Sequence, residues 1–194
     1  MGKFFRWAVV AVLVASCGGE RYSAPRNLDD ACAIIDERPQ YLRAMRTAER
    51  RWGVPIPVQM AIIHAESRFI GNARTPYQYA LGVIPMGRQS SAYGYSQALD
   101  GTWDEYRQET GNRRGRRDRI RDATDFIGWY ATNTLERNGI PMHDARNQYL
   151  AYHEGHAGFA RGSYNAKPWL LSVADRVAAR ALRYDAQLRS CRRL

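Results

Sequence analysis

Glu66 stands where a carboxyl group can serve as a proton donor. It closes an apolar run, Val58 to Ala65, and is followed by Ser67 and Phe69, where the chain enters a long polar and aromatic stretch. A carboxyl in such a place is partly desolvated, which raises its pKa and keeps it protonated for general-acid work. A helix-end glutamate paired with Arg68 is the more ordinary arrangement, and one residue read alone does not displace it. Metal chemistry has weaker support. The histidines are His64, His143, His153 and His156, and only His153 and His156 have helix-compatible spacing, with no third ligand evident. The sequence therefore leads us to expect neither a metal nor another cofactor.

Two further strings change the weight given to Glu66. About thirty residues on comes Ser90-Ser91-Ala92-Tyr93-Gly94-Tyr95-Ser96-Gln97, and later Leu150-Ala151-Tyr152-His153-Glu154-Gly155. The string Ala61-Ile62-Ile63-His64-Ala65-Glu66-Ser67-Arg68-Phe69 resembles the Glu-Ser signature of soluble lytic transglycosylases, relatives of goose-type lysozyme. The second string is similar to that family's Ser-Gly-Ala-x-Gly-Leu-Met-Gln stretch. Gly94 and Gln97 are in register, and Tyr95 and Ser96 replace Leu-Met. The third is similar to its Ala-Tyr-Asn-Ala-Gly motif. The three occur in the family's order, and the resemblance extends over roughly residues 40–181.

This resemblance implies an all-α, lysozyme-like domain acting on peptidoglycan glycan strands. Glu66 would protonate the oxygen linking N-acetylmuramic acid to N-acetylglucosamine. Glycosidases ordinarily use two carboxylates, whereas in this family the muramic acid's own 6-hydroxyl attacks the anomeric carbon. Glu66 would then act as base, giving a 1,6-anhydro product. Ser67, Gln97 and His153 would line the cleft, and Tyr152 would hydrogen-bond near Glu66. Among the loop aromatics Tyr77, Tyr79, Tyr93, Tyr95 and Trp103, we expect Tyr93 and Tyr95 to meet sugar and Trp103 to join the core. Three alternatives follow from the same residues. His153 and Glu154 depart from the motif, and Glu154 close to Glu66 would permit hydrolysis by water, as in a lysozyme-type muramidase. A non-catalytic peptidoglycan-binding lipoprotein is the second. A nucleic-acid-binding protein is the third; the run Arg113, Arg114, Arg116, Arg117, Arg119 and Arg121 lacks base-reading partners, so nucleic acid is not the expected partner.

These residues need a scaffold, and the periodicity supplies helices. Segments of period 3.6 are predicted over about 28–37, from Pro39 to Trp52, from Val58 to Glu66, and from Asp100 through Tyr106. Others run from Asp122 to Leu135, from Asp144 to Tyr152, and from Pro168 to Leu182. The stretch 70–91 has no period, and the 70–95 loop has room for one small β-hairpin.

The formal charge is +10, with Lys3 and Lys167 the only lysines. Such a surface favours polyanions. Lys3 and Arg6 precede the apolar run Trp7 to Ala15, too short to span a bilayer comfortably. That run leads to Val14-Ala15-Ser16-Cys17, which resembles a bacterial lipobox. The expected organisation is a signal peptide at 1–16, a tether at 17–27 carrying a lipid on Cys17, and a catalytic domain at 28–194. The protein would be a periplasmic monomer held to a membrane, the outer in preference to the inner because Gly18 is not aspartate. Export to an oxidising compartment makes Cys32 and Cys191 a disulfide pair joining the first mature helix to the last.

Overall fold

The computed structural model describes residues 22–191. The expected signal peptide and the lipid site at Cys17 lie outside the described residues. Within them the chain forms eight α-helices, a single 3-10 turn and one two-stranded sheet. The helices are α1 (Ala31–Glu37), α2 (Pro39–Trp52), α3 (Ile56–Ser67), α4 (Asp100–Thr110), α5 (Ile120–Asn138), α6 (Ala145–Glu154), α7 (His156–Ala160) and α8 (Pro168–Ser190). The strands β1 (Tyr77–Ala80) and β2 (Ile84–Arg88) make an antiparallel hairpin with a bulge between Gln78 and Tyr79. The periodicity implied a mostly helical domain, and the resemblance implied a lysozyme-like one; the fold is both.

Helix α3 is apolar on every side, and Ile56, Val58, Met60, Ala61, Ile62 and Ile63 are all buried. A helix of that kind belongs at the centre, and α8 and α6 pack around it and against each other. Helix α8 contributes a stripe at spacings of three and four: Leu170, Ala174, Val177, Ala181, Tyr184 and Leu188. On the other side α2 lies along α5. Their close approach requires Gly128, because a Cβ there would stand 2.4 Å from Cδ1 of Trp52. The Trp52 indole donates to Asp125 at 2.8 Å. Trp103 joins a buried aromatic cluster with Tyr106 and Phe126, as expected of a core residue.

Helix starts differ in detail from the sequence expectation. Asp30 caps α1 by accepting from the amides of Cys32 and Ala33, and Asp144 caps α6 through Asn147. Asp100 does not cap α4. It is the first helical residue, and its carboxylate is 2.6 Å from Arg117. Asp122 lies inside α5, which begins two residues earlier, and its carboxylate accepts from the Arg116 amide.

Cys32 and Cys191 form a disulfide with Cα atoms 5.7 Å apart, fastening α1 to the end of α8. Gln187 strengthens the same junction, accepting from the Ala31 amide and donating to the Asp29 carbonyl. The expected tether is not free along its whole length. From Tyr22 onward it lies on the domain: the Tyr22 carbonyl accepts from the Gly71 amide at 3.1 Å, and the Tyr22 hydroxyl reaches Asp118 at 3.2 Å.

Candidate active site

Glu66 occupies the last turn of α3. The helix stops abruptly because Arg68 and Phe69 both adopt left-handed backbone, with φ of 51° and 61°. Two consecutive non-glycine residues in that region store strain, a feature common at functional sites. The turn drives Phe69 fully into the core, where its ring stacks on Tyr41 at 5.8 Å. Glu66 is left at the edge, only partly exposed.

The surroundings of its carboxyl are apolar and phenolic. Burial pushes the Glu66 pKa up to about 7, against a hydrogen bond from the Tyr149 hydroxyl that favours the ionised form. Tyr149 is itself buried, and desolvation together with the nearby Glu66 raises its own pKa. Near neutral pH Glu66 is therefore divided between a proton-donating and a proton-accepting form, the condition a single acid–base residue needs.

Hydrogen bonds join the three sequence motifs around this carboxyl. The Ser67 hydroxyl donates to the Tyr95 carbonyl at 2.8 Å, tying the end of α3 to the 90–98 loop. The Tyr152 hydroxyl donates to the Ser96 carbonyl at 2.6 Å, tying α6 to the same loop. Gln97, with φ of 48°, holds its own strained turn by donating to the carbonyls of Ala73 and Gly94 at 3.0 and 2.8 Å. Gly94 is obligatory, since a Cβ there would lie 2.1 Å from the Arg117 carbonyl oxygen.

Several expected sugar contacts therefore have other occupations. Tyr95 does not face a cleft. It is 3% exposed, and its hydroxyl lies 3.1 Å from that of Tyr41. The loop backbone is pinned by Ser67 and Arg117, and this turns the ring inward. Ser67 is buried and engaged. The Gln97 amide nitrogen is committed to backbone. Tyr152 keeps its place near Glu66, whose charge contributes to raising its pKa, yet its hydroxyl serves Ser96. Tyr93 stays accessible, between the guanidinium groups of Arg74 at 4.2 Å and Arg117 at 5.6 Å, on a depression of about 480 Å³. His153 is partly exposed, with its ring edge-on to Trp169.

The Glu154 carboxylate is engaged by groups other than Glu66. Its side chain is 3% exposed. Burial alone would raise its pKa, but hydrogen bonds from Lys167, Ser163 and His153 outweigh that and bring it down to about 2. The Lys167 ammonium is 2.7 Å away. The charge is consumed in fixing the segment 155–167, which carries α7 and the 3-10 turn, between α6 and α8.

Tyr149 was missed in the sequence, although it lies three residues before Tyr152 and so on the same face of a helix. The basic run is only partly solvated: Arg117 bonds the carbonyls of Ser91 and Ala98 and supports the loop. His64 is kept neutral by burial and by Arg180 and Arg68, which lower its pKa to about 4. His156 meets Thr134 and stacks on Tyr130. Among the described residues no three His, Cys, Asp or Glu side chains form a metal-binding group. A family model described as a transglycosylase SLT domain matches residues 5–191. No curated protein matches the chain.

Proposed function

The chain belongs to the transglycosylase SLT domain family, and on that premise we propose that it is a lytic transglycosylase cutting peptidoglycan with Glu66 as both acid and base. One observation carries the reading. The carboxyl of Glu66 is desolvated to a pKa of about 7, and its ionisation is governed by burial and Tyr149, with no second carboxylate acting on it.

The chemistry then closes on one group. Protonated Glu66 gives its proton to the glycosidic oxygen, the bond from the muramic acid C1 to that oxygen breaks, and N-acetylglucosamine leaves as an alcohol. The Glu66 carboxylate next takes the proton of the muramic acid 6-hydroxyl as that oxygen bonds to C1. The product is a 1,6-anhydro sugar, no water is consumed, and Glu66 is protonated again. Tyr149 orients the carboxyl and supports its ionised form between the two steps. Tyr93, beside Arg74 and Arg117, and His153, beside Trp169, are the remaining candidates for glycan contact.

The lipobox-like Val14-Ala15-Ser16-Cys17 supports export to the periplasm and a lipid on Cys17, Gly18 favours the outer membrane, and the proposed form is a monomer. Residues 18–194 contain the core of the described residues and the disulfide, so this chain suits a direct assay. With Glu66→Gln alongside, it is incubated with isolated sacculi and the released muropeptides are weighed. Products one water lighter than hydrolysis products, absent with Glu66→Gln, support the reading. Reducing-end products that depend on Glu66 would make the enzyme a muramidase. No release from either form, with the protein bound to sacculi, would make it a binding lipoprotein.

A further inference from the structure

We propose that the β1–β2 hairpin is a membrane-seating element that inserts its tip into an anionic bilayer beside the chain's own lipid anchor. The hairpin's strands pair with each other and, among the described residues, pack against no helix. Even so it exposes Tyr77, Tyr79, Leu81, Val83, Ile84 and Met86, each at least half exposed and Leu81 at 90%. Exposed apolar residues elsewhere are scattered, and an apolar patch gathered on one projecting element marks an interaction site.

Composition identifies the occupant. The tip, Leu81-Gly82-Val83-Ile84, is aliphatic, whereas sugar recognition uses aromatic faces. Two tyrosines flank it on β1, in the arrangement favoured at membrane interfaces, where an apolar ring body carries a polar end. Behind them stand cations: Arg88 lies over Tyr77 at 4.3 Å and Arg74 over Tyr93 at 4.2 Å. Between Glu66 and Asp100 the sequence contains no acidic residue. An apolar tip backed only by positive charge matches a bilayer with anionic headgroups.

Chain geometry places that bilayer within reach. The described chain begins at Tyr22, which bonds to Gly71, four residues before the hairpin root at Thr75. Thr75 and Ser90 close that root at 2.9 Å. From Cys17 to Tyr22 the chain spans at most about 18 Å. From Pro76 to the tip at Gly82 the hairpin extends roughly 20 Å. A lipid on Cys17 therefore holds the membrane at a distance the hairpin can bridge. Two attachments fix the domain's orientation where one would leave it swivelling.

The inference rests on the exported, lipid-anchored reading, and its test is independent of glycan cleavage. Residues 18–194 without acyl chain are mixed with phosphatidylglycerol–phosphatidylethanolamine vesicles and with phosphatidylcholine vesicles, and flotation measures partition. The comparison is a double variant, Leu81→Asp with Val83→Asp, whose side chains are exposed and whose thermal midpoint is checked. We expect the parent to bind the anionic vesicles preferentially, and the variant to lose about tenfold or more in partition. Its muropeptide release from detached sacculi should be unchanged. Absence of parent binding, or equal binding by the variant, overturns the proposal. So does a variant that keeps vesicle binding but loses sacculus binding, which would make the hairpin a glycan-contacting wall. A failure of muropeptide release in both forms would count against the proposed function alone.

Discussion

Helix α6 serves two buried carboxyl groups, and the two end in opposite states. Toward α3 it presents Tyr149 and Tyr152 to Glu66, whose pKa rises to about 7. At its own C-terminal end it contributes Glu154, which Lys167, Ser163 and His153 hold at about 2. Desolvation pushes both pKa values upward, so its direction alone does not decide protonation. The difference lies in the donors: one phenol for Glu66, an ammonium and two further polar groups for Glu154. The lesson is that a glutamate becomes a proton donor where cations are kept away from it.

The largest expected effect separates the two directly. Glu66→Gln should lower muropeptide release by roughly 10²–10⁴-fold, and Glu154→Gln should leave the anhydro products unchanged. Stability should show the same opposition. A folded pKa above the unfolded value costs stability as pH rises through about 7, so Glu66→Gln should gain roughly 1–3 kcal/mol at pH 8 and little at pH 4. Chemical denaturation at both pH values checks the sign.

Next in size is Lys167→Met, which leaves Glu154 buried without its cation. A loss of about 1–3 kcal/mol is expected near neutral pH. Because the Glu154 pKa is depressed, its contribution is present above about pH 4.5 and is lost as pH falls toward 2. The Lys167→Met penalty should therefore shrink in acid, as an unfolding series over that range would show.

The smallest effect sharpens the account of Glu66 itself. Tyr149→Phe removes a hydrogen bond that lowers the Glu66 pKa. The falling alkaline limb of the activity profile, expected near pH 7 for the parent, should move upward by up to about one unit. A profile that stayed in place would show that the tyrosine only packs.

Much of this was legible in the sequence. The period of 3.6 located the long helices, and Cys32 and Cys191 paired as export chemistry suggests. The position of Glu66 at the end of an apolar helix followed from residue types alone. The roles of its neighbours did not. Ser67, Tyr95 and Gln97 carry polar groups that serve equally well to bind sugar or to brace backbone. Only their hydrogen bonds in the folded chain show that bracing uses them. The five-residue helix α7 is too short to display a period. The partners of Glu154 lie nine and thirteen residues away across that segment, beyond any local pattern. Tyr149 was visible as a helical neighbour of Tyr152, but nothing in the motif singled it out.

The contrast between the two glutamates can be observed without substrate. Carboxyl carbons of ¹³C-glutamate-labelled residues 18–194 are titrated by NMR from pH 2 to 9, with Glu66→Gln and Glu154→Gln samples assigning the two signals. The account predicts that Glu66 titrates near pH 7 while Glu154 stays ionised to below pH 3. A Glu66 signal that titrates at the ordinary value near 4.5 would contradict its assignment as the protonated acid.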